Sequence, residues 1–321
     1  MATQTAVVLK PVPKTSSQMG DRIARLAALF FACVLLAIVV LLVYELVWRS
    51  EPARVKFGWK FLASSEWNPV TEEFGALPFL YGTVVTSVVA MLLSIPLGVG
   101  AAIFLAELAP AKLSNGLTFV IELLAAIPSV IYGLLAIFTV VPLMRQYIEP
   151  FLKKTLGLLP VPFFQGPAAG VGYLTAGIVL AIMTVPFIIS VSRESLLAVP
   201  REQREAALAL GATRWETTWQ IVVPYAKLGI LGSIFLGLAR ALGETMAVTM
   251  VIGNVPAVHA SLLWPGYSIA AAIANEFAEA GGKVYPAALV ELGLVLFGLT
   301  IVINGVARMM IVATTKKGSK R

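Results

Sequence analysis

EAALALGATRWETTWQIVVP, residues 205 to 224, is a polar stretch of helical character that lies between two long apolar runs. The chain has 321 residues, of which 59% are hydrophobic and 13% are charged, whereas soluble domains have roughly 25% charged residues. A hydrocarbon layer about 30 Å thick is crossed by about 20 apolar helical residues. The composition therefore predicts an integral membrane protein. The polar stretch indicates to which class of membrane proteins the chain belongs.

Six apolar segments are long enough to span a membrane. We predict spans at residues 23 to 48, 79 to 108, 117 to 141, 174 to 192, 226 to 252 and 288 to 312. The first segment is too long for a secretory signal, and no small-residue cleavage site follows it, so we expect it to be retained. The predicted fold is an all-α membrane protein with six transmembrane helices.

Basic residues cluster at both ends of the chain, whose net charge is +7. They are Lys10, Lys14, Arg22 and Arg25 before the first span, and Lys316, Lys317, Lys320 and Arg321 after the last. The positive-inside rule and the even number of spans predict that both termini are cytoplasmic. We expect a flexible cytoplasmic tail over residues 1 to 20 and one transmembrane domain over residues 21 to 321, with a cytoplasmic segment at 193 to 224.

Two further features concern helix contacts. The long outer connection at 253 to 287 contains SIAAAIANEFAEA, residues 268 to 280, which predicts a short helix lying against the membrane surface. The fifth span has a stripe of small residues at Gly229, Ser233, Gly237 and Ala241. Such a stripe permits close contact with another helix, and a helix of a second chain is one candidate.

The opening stretch has the pattern of helix, tight turn and helix. Pro200 suits the first turn of a helix, and Gly211 suits the position that ends it. Thr213 precedes Glu216 by three residues, the spacing of a capping box. We expect the second helix to end before Pro224. A solvated connector is the alternative, but two capped helices with an apolar face favour contact with a partner protein.

A DNA-binding helix-turn-helix has a similar pattern. Between Val191 and Pro224, however, four arginines are balanced by four glutamates. No basic face is left for the phosphate contacts on which DNA affinity depends. The charge balance therefore excludes nucleic acid as a partner.

Arg240 and Glu244 lie near the middle of the predicted fifth span. A charge at the centre of a membrane costs on the order of 2.5 to 3.5 kcal/mol on insertion scales, and a spacing of four residues lets the two side chains pair on one helical face. One interpretation is a structural ion pair. The other is a water-filled anion path, in which the planar guanidinium binds an oxyanion through two parallel hydrogen bonds.

The polar stretch carries a family motif. Glu205, Ala206, Ala207, Gly211, Ile221, Val223 and Pro224 match the EAA signature of permease subunits of bacterial ABC importers. Three other segments, FGALPFLYGTVVTS from Phe74, AAIPSVIYGLLAIF from Ala125 and ARALGETMAV from Ala239, resemble permeases of the phosphate-specific transport system and its PstC-type subunits in particular. The resemblance covers roughly residues 74 to 312 and implies the type I ABC importer permease fold.

The resemblance also implies an assembly in the bacterial cytoplasmic membrane. Its partners would be a second, PstA-type permease, a dimer of a cytoplasmic PstB-type ATPase, an extracytoplasmic PstS-type phosphate-binding protein and membrane lipid. The EAA segment would be the coupling helix that docks into the ATPase, and Arg240 and Glu244 would match the charged positions associated with phosphate passage. No GxxxxGK[ST] phosphate loop occurs in the sequence, so ATP and magnesium would be bound by the partner.

Other functions remain open. Permeases for sulfate or molybdate are the nearest alternative, because an arginine alone does not distinguish tetrahedral oxyanions. An ATP-independent transporter or channel could share six spans and a buried charge pair, but it would not need the EAA motif. Cys33, Asp21 and His259 are each the single residue of their type, which excludes disulfide scaffolds, aspartyl dyads and HExxH zinc sites.

Overall fold

The computed structural model describes residues 17–155, 157 and 162–318, with side chains described for 20–155, 157 and 162–309. Most of the predicted tail, together with Lys10, Lys14, Lys320 and Arg321, lies outside these residues. The described chain is almost entirely helical, apart from one hairpin of two-residue strands. The predicted all-α fold is confirmed.

Six helices in the described residues are long and apolar enough to cross a membrane. Their ranges are Gly20–Arg49, Leu77–Leu108, Ser129–Thr155, Tyr173–Leu197, Arg214–Leu242 and Val284–Met309. The predicted number of spans is confirmed, and the third and fifth spans have different bounds from those predicted.

The chain divides into two compact units. The first ends at Trp48 and consists, in its described part, of most of α1 (Ser17–Arg49). Apolar residues occur all around this helix, as is typical of a helix in lipid. The second unit comprises residues 49–321.

The second unit begins with a peripheral segment made of α2 (Glu51–Phe57), α3 (Lys60–Ala63), β1 (Trp67–Asn68) and β2 (Glu73–Phe74). The strands are antiparallel, with Trp67 opposite Phe74. The Trp67 ring lies 4.5 Å from that of Phe79, and its indole N–H donates a 2.8 Å hydrogen bond to the Glu276 carboxylate. These contacts attach the hairpin to the rest of the unit.

Twelve further α-helices follow in the described residues of the second unit. They are α4 (Leu77–Ile103), α5 (Ala111–Ala126), α6 (Ser129–Leu135), α7 (Val141–Leu143), α8 (Glu149–Thr155), α9 (Tyr173–Leu197), α10 (Arg201–Ala209), α11 (Arg214–Thr217), α12 (Val223–Leu242), α13 (Met246–Val251), α14 (Ile269–Glu276) and α15 (Val284–Gly318).

Four π-helical turns occur in the described residues, at Phe104–Leu108, Ala136–Val140, Met144–Ile148 and Thr218–Val222. Each ends two residues before a proline: Pro110, Pro142, Pro150 and Pro224. A proline lacks the N–H of the helical hydrogen bond, and its ring collides with the carbonyl four residues earlier. A wider turn at this point moves that carbonyl aside, so that three of these helices continue past the proline.

The predicted third span, 117 to 141, is wrong in its bounds. The helix over its first part, α5, ends at Ala126, and Ile127 is extended with φ −66° and ψ 130°. A residue that precedes proline is disfavoured in helical conformation, and Pro128 directly follows. The spanning helix begins at Ser129 and continues through the π-helical turns to Thr155.

The long helices α4, α9 and α12 form the centre of the second unit. Ile188 of α9 is fully buried between two glycines. A Cβ added at Gly98 would lie 2.7 Å from Ile188 Cγ2, and one added at Gly237 would lie 3.1 Å from Ile188 Cδ1. The helix axes approach closely because neither glycine has a side chain.

The small-residue stripe of α12 faces α9 of the same chain. A Cβ at Gly229 would overlap the Ser195 side chain, and the hydroxyls of Ser233 and Ser192 lie 2.6 Å apart. Ser233 and Ala241 are buried. The suggestion that this stripe contacts a second chain is therefore wrong, because α9 already covers it.

The short helix expected in the outer connection exists as α14, and Ser268 caps it by accepting a hydrogen bond from the Ala271 N–H at 3.3 Å. It does not lie on the surface as expected. Its first four residues are buried, and they pack with α4 and α15 in one apolar cluster. Alanines allow this burial because their small side chains let the neighbouring helices approach.

We predict that Gly82→Ala destabilises the protein. The added Cβ would overlap the Tyr267 carbonyl oxygen, and overpacking of this kind costs about 1 to 3 kcal/mol. The control is Gly100→Ala in the same helix, where nothing lies within 4 Å of the added atom. Thermal unfolding of the purified proteins in detergent measures the difference. Equal melting temperatures would contradict the close contact at Gly82.

Candidate coupling segment and charged helix break

The EAA segment begins on α10 and continues through the glycine turn and α11 to Pro224 at the start of α12. Pro200 is the residue before the helix, one position earlier than expected. The helix ends in two hydrogen bonds of the Schellman type, from the Gly211 N–H to the Leu208 carbonyl at 3.0 Å and from the Ala212 N–H to the Ala207 carbonyl at 3.1 Å. Gly211 has φ +89°, and a Cβ at this position would meet no other atom within 4 Å. Glycine is therefore favoured by the left-handed backbone conformation and not by a lack of space.

The second helix of the segment begins as predicted. The Thr213 hydroxyl accepts a hydrogen bond from the Glu216 N–H at 3.2 Å, and the Glu216 carboxylate accepts one from the Thr213 N–H at 2.8 Å. This is the reciprocal capping box. The prediction that the helix ends before Pro224 is wrong, because α11, the π-helical turn and α12 form one helix through Leu242.

The motif residues form a mostly exposed surface. Glu205, Ala206, Gly211 and Pro224 are exposed, whereas Ala207 and Ile221 are half-buried. No residue of α10 is buried. Two leucines at its end are also exposed, Leu208 by 45% and Leu210 by 89%. The surface thus combines charged residues with exposed apolar side chains next to the glycine turn.

One arginine attaches this exposed segment to two spanning helices. Arg204 of α10 binds Glu107 at the end of the second span through Nε and Nη2, with a shortest distance of 2.8 Å. Its Nη2 also donates to the Leu196 carbonyl at 2.8 Å, and its Nη1 donates to the Val199 carbonyl. Leu196 lies in the last turn of α9, and Val199 follows two residues after the end of that helix. Arg204 therefore joins α10 to the end of α9 and to the second span.

A second contact lies beside the first. Arg193 of α9 donates from Nη2 to the Ser114 hydroxyl at 3.3 Å, and Ser114 in turn donates to the Leu105 carbonyl at 2.8 Å. Ser114 belongs to α5, and Leu105 lies in the π-helical turn that ends the second span. Arg193 and Ser114 thus join α9, α5 and the π-helical turn that ends the second span.

Arg240 and Glu244 flank a break in the predicted fifth span. The helix ends at Leu242, and Gly243 has φ −94° and ψ 1°. A separate helix, α13, begins at Met246. The expectation of one continuous span over 226 to 252 is therefore wrong. Two residues favour the break. Gly243 is a poor helix former, and the Glu244 carboxylate accepts the Ala247 N–H at the start of α13.

The two charges do not pair with each other in the described part of the chain, where ion pairs join Lys56 to Glu72 and Arg204 to Glu107. Glu244 Oε1 instead accepts a hydrogen bond from the Ala247 N–H at 3.3 Å. Arg240 lies in the last turn of α12. A carboxylate at a helix N-terminus and a cation at a helix C-terminus both interact favourably with the helix dipole.

Arg240 is half-buried, and its guanidinium carbon lies 6.0 Å from the centre of the Phe187 ring. This distance is at the limit of a cation–π interaction. Phe187 belongs to α9 and precedes Ile188, whose side chain packs against Gly98 of α4 and Gly237 of α12. The charged break is consequently placed by the same close helix contacts that form the centre of the unit.

Sequence analysis did not identify Glu107, Arg204 or Phe187 as functional candidates. Arg204 was counted only in a charge balance. A carboxylate at the end of a span, opposite an arginine in a short cytoplasmic helix, is a weak signal in a sequence, because many residues at span ends simply contact water. Only the positions of α9 and α10 bring the three side chains to their partners.

Comparison with known proteins agrees with this geometry. The family model of binding-protein-dependent transport system inner membrane components matches residues 94–311. Over 317 residues the chain is 47% identical to the phosphate transport system permease protein PstC of Xylella fastidiosa, covering 95% of this chain and 98% of that protein. It is 46% identical over 294 residues to PstC of Pasteurella multocida, covering 91% and 92%.

The fold also has a solved counterpart. A chain of a bacterial alginate ABC transporter, solved in complex with an alginate pentasaccharide-bound periplasmic protein, superposes with a TM-score of 0.58 at 17% identity, covering 90% of this chain and 96% of that chain. The predicted importer permease fold and the resemblance to PstC-type permeases are confirmed. The chain is a multi-pass protein of the bacterial cytoplasmic membrane, and it belongs to the family of binding-protein-dependent transport system inner membrane components.

Proposed function

We propose that this chain is a permease subunit of an ATP-driven importer of inorganic phosphate and forms half of its translocation pathway. The observation that carries the proposal is the 47% identity to a phosphate transport system permease over 95% of the chain. The exposed EAA segment supports transport that is powered by an ATPase on another chain. Sulfate or molybdate import is the second candidate, because tetrahedral oxyanions offer similar hydrogen-bond acceptors to Arg240.

The partners follow from this function. A PstA-type permease would supply the other half of the pathway, and a PstS-type binding protein would deliver phosphate from the outer side. A dimer of a PstB-type ATPase would bind ATP and magnesium and would contact α10. Hydrolysis of ATP thus belongs to the partner, and this chain converts its motion into a change of the pathway.

The coupling step starts at the exposed surface around Gly211. ATP binding would draw the coupling helices of the two permeases together. Arg204 would carry this displacement to α9 and, through Glu107, to the second span, since it holds both by hydrogen bonds. Because α9 packs closely on α4 and α12, its movement would carry the Arg240 region with it and open the translocation pathway to the outer side.

The anion step uses the break between α12 and α13. A discontinuous helix places polar backbone and charged side chains where a transported ion can reach them. Arg240 would donate parallel hydrogen bonds to two phosphate oxygens. Glu244 would moderate the attraction, because a pathway must also release its ion. The carboxylate could in addition accept a hydrogen bond from the hydroxyl that hydrogen phosphate has and sulfate lacks.

The first test is Arg240→Ala. We expect phosphate uptake by the complete transporter in proteoliposomes to fall ten- to a hundredfold, since a hydrogen bond to a charged group contributes about 1.5 to 3 kcal/mol. Arg240→Lys should retain part of the uptake, because it keeps the charge without the planar fork. Arg308→Ala, at an exposed position of α15, is the control. Undiminished uptake by the Arg240→Ala transporter would refute the anion role.

The second test separates the cap from the charge. In Glu244→Gln the amide oxygen can still accept the Ala247 N–H, so α13 should remain capped. We expect assembly to be unchanged and sulfate to compete more strongly with phosphate, because the anionic acceptor is gone. Labelled phosphate uptake at increasing sulfate concentrations measures this. Unchanged competition would remove Glu244 from phosphate selection.

The third test concerns coupling. Arg204→Lys keeps the charge but loses the bidentate contact, so we expect the ratio of phosphate transported to ATP hydrolysed to fall about tenfold. Glu107→Gln should have a similar effect, and the double variant should be little worse than either alone. Arg308→Lys serves as the control. If uptake persisted after the ATPase was removed, the proposed ATP-driven function itself would be wrong.

A further inference from the structure

A groove of about 800 Å³ lies beside α15 in the second unit. Its polar end includes Arg54, Trp59 and Glu291, and its apolar wall follows α15 through Leu294, Gly298 and Val302. Arg54 comes from α2, which packs on α15. The groove therefore combines both signs of charge at one end with an apolar channel along a spanning helix.

Glu291 is the unusual member of this groove. Its side chain is only 6% exposed, yet its Oε2 atom has no hydrogen-bond partner among the described residues. Buried polar atoms in native proteins nearly always have such a partner, and an ionisable residue within a membrane span usually marks a functional site. The carboxylate lies on the groove and can accept a hydrogen bond from a bound molecule.

Arg54 adds the opposite charge at the same end. Its Nε donates to the Ser50 hydroxyl at 3.0 Å, which orients the side chain on α2. Arg54 lines the same end of the groove as Glu291. A ligand with one negative and one positive group would thus have an opposite charge near each of its own.

The dimensions match one leaflet of a membrane. From Glu291 to Val302 the helix rises over eleven residues, about 16 Å at 1.5 Å per residue. Half of a hydrocarbon layer about 30 Å thick is about 15 Å. Glu291 itself is seven residues, about 10 Å, from the start of α15 at Val284. The polar end of the groove therefore faces the start of α15, and its apolar wall is about as long as one leaflet is deep.

We propose that this groove binds a phospholipid with a primary-amine headgroup, as in phosphatidylethanolamine. Its ammonium group donates to the Glu291 carboxylate, its phosphate faces Arg54, and one acyl chain lies along α15 past Gly298. Phosphatidylglycerol lacks the cation, and phosphatidylcholine lacks the N–H donors. The site should therefore discriminate among the three headgroups, which ordinary lipid contacts around a membrane protein do not.

The structure offers a matched pair of variants for the apolar wall. A Cβ at Gly298 would have nothing within 4 Å, and the same holds for Gly305 two turns further along α15. Gly298→Leu places a side chain in the groove without a collision in the fold, whereas Gly305→Leu lies outside the groove lining. Both substitutions also replace glycine in a helix by a better helix former.

The test measures retained lipid. The full-length chain is purified in mild detergent, incubated with micelles containing one of the three phospholipids with identical acyl chains, and examined by native mass spectrometry. We expect one retained phosphatidylethanolamine, preferred about tenfold over the other two because a charge-assisted hydrogen bond to Glu291 forms only there. Glu291→Gln should abolish the preference. Gly298→Leu should lose the retained lipid, and Gly305→Leu should keep it.

Three outcomes would overturn the proposal. Equal retention of the three lipids by the unmodified chain would indicate ordinary annular lipid. An unchanged preference in Glu291→Gln would remove the carboxylate from headgroup recognition. A change in the number of protein subunits with Gly298→Leu, but none in lipid retention, would identify the groove as a protein-docking surface. The unmodified chain alone gives the first result, so the test does not depend on the folding of a variant.

Discussion

The hydrogen-bonding demand of the backbone in lipid is the constraint on which this structure depends. A membrane offers no water to an unpaired N–H or carbonyl, so spanning segments are helices, and every break needs its own partners. The break after Leu242 meets part of this demand through one side chain, and the charges on either side of it suit the dipoles of the two helix ends. Glu244 accepts the Ala247 N–H, and Arg240 lies in the last turn of the preceding helix. The charges proposed to contact the anion thus also stabilise the two helix ends.

The same constraint explains the prolines. Each of the four π-helical turns in the described residues ends two residues before a proline. Pro142, Pro150 and Pro224 are consequently passed without the loss of the helix, whereas the chain turns at Pro128, where Ile127 is extended. Wider turns next to prolines supply local bends in helices that remain hydrogen-bonded. The turn before Pro224 lies between the coupling surface and the packed part of α12.

Close packing then joins these elements into one unit that can move together. Ile188 fits against two glycines of neighbouring helices, and Phe187 beside it contacts Arg240. Further along, at the C-terminal end of α9, Arg204 binds the Leu196 carbonyl and Glu107. The C-terminal half of α9 thus lies between the proposed coupling segment and the proposed anion path.

The membrane location, the number of spans, the helix–turn–helix form of residues 200 to 224 and the family can be read from the sequence, because hydrophobicity, caps and motifs are local signals. The sequence also contains the signal for the break at Pro128, which the apolar run obscures. Three other features are visible only once the helices have packed: the stripe from Gly229 to Ala241 faces α9, α14 is buried, and Arg240 and Glu244 do not pair. These features depend on which helices become neighbours, and residues far apart in sequence, such as Glu107 and Arg204, reveal their contact only when the helices have packed.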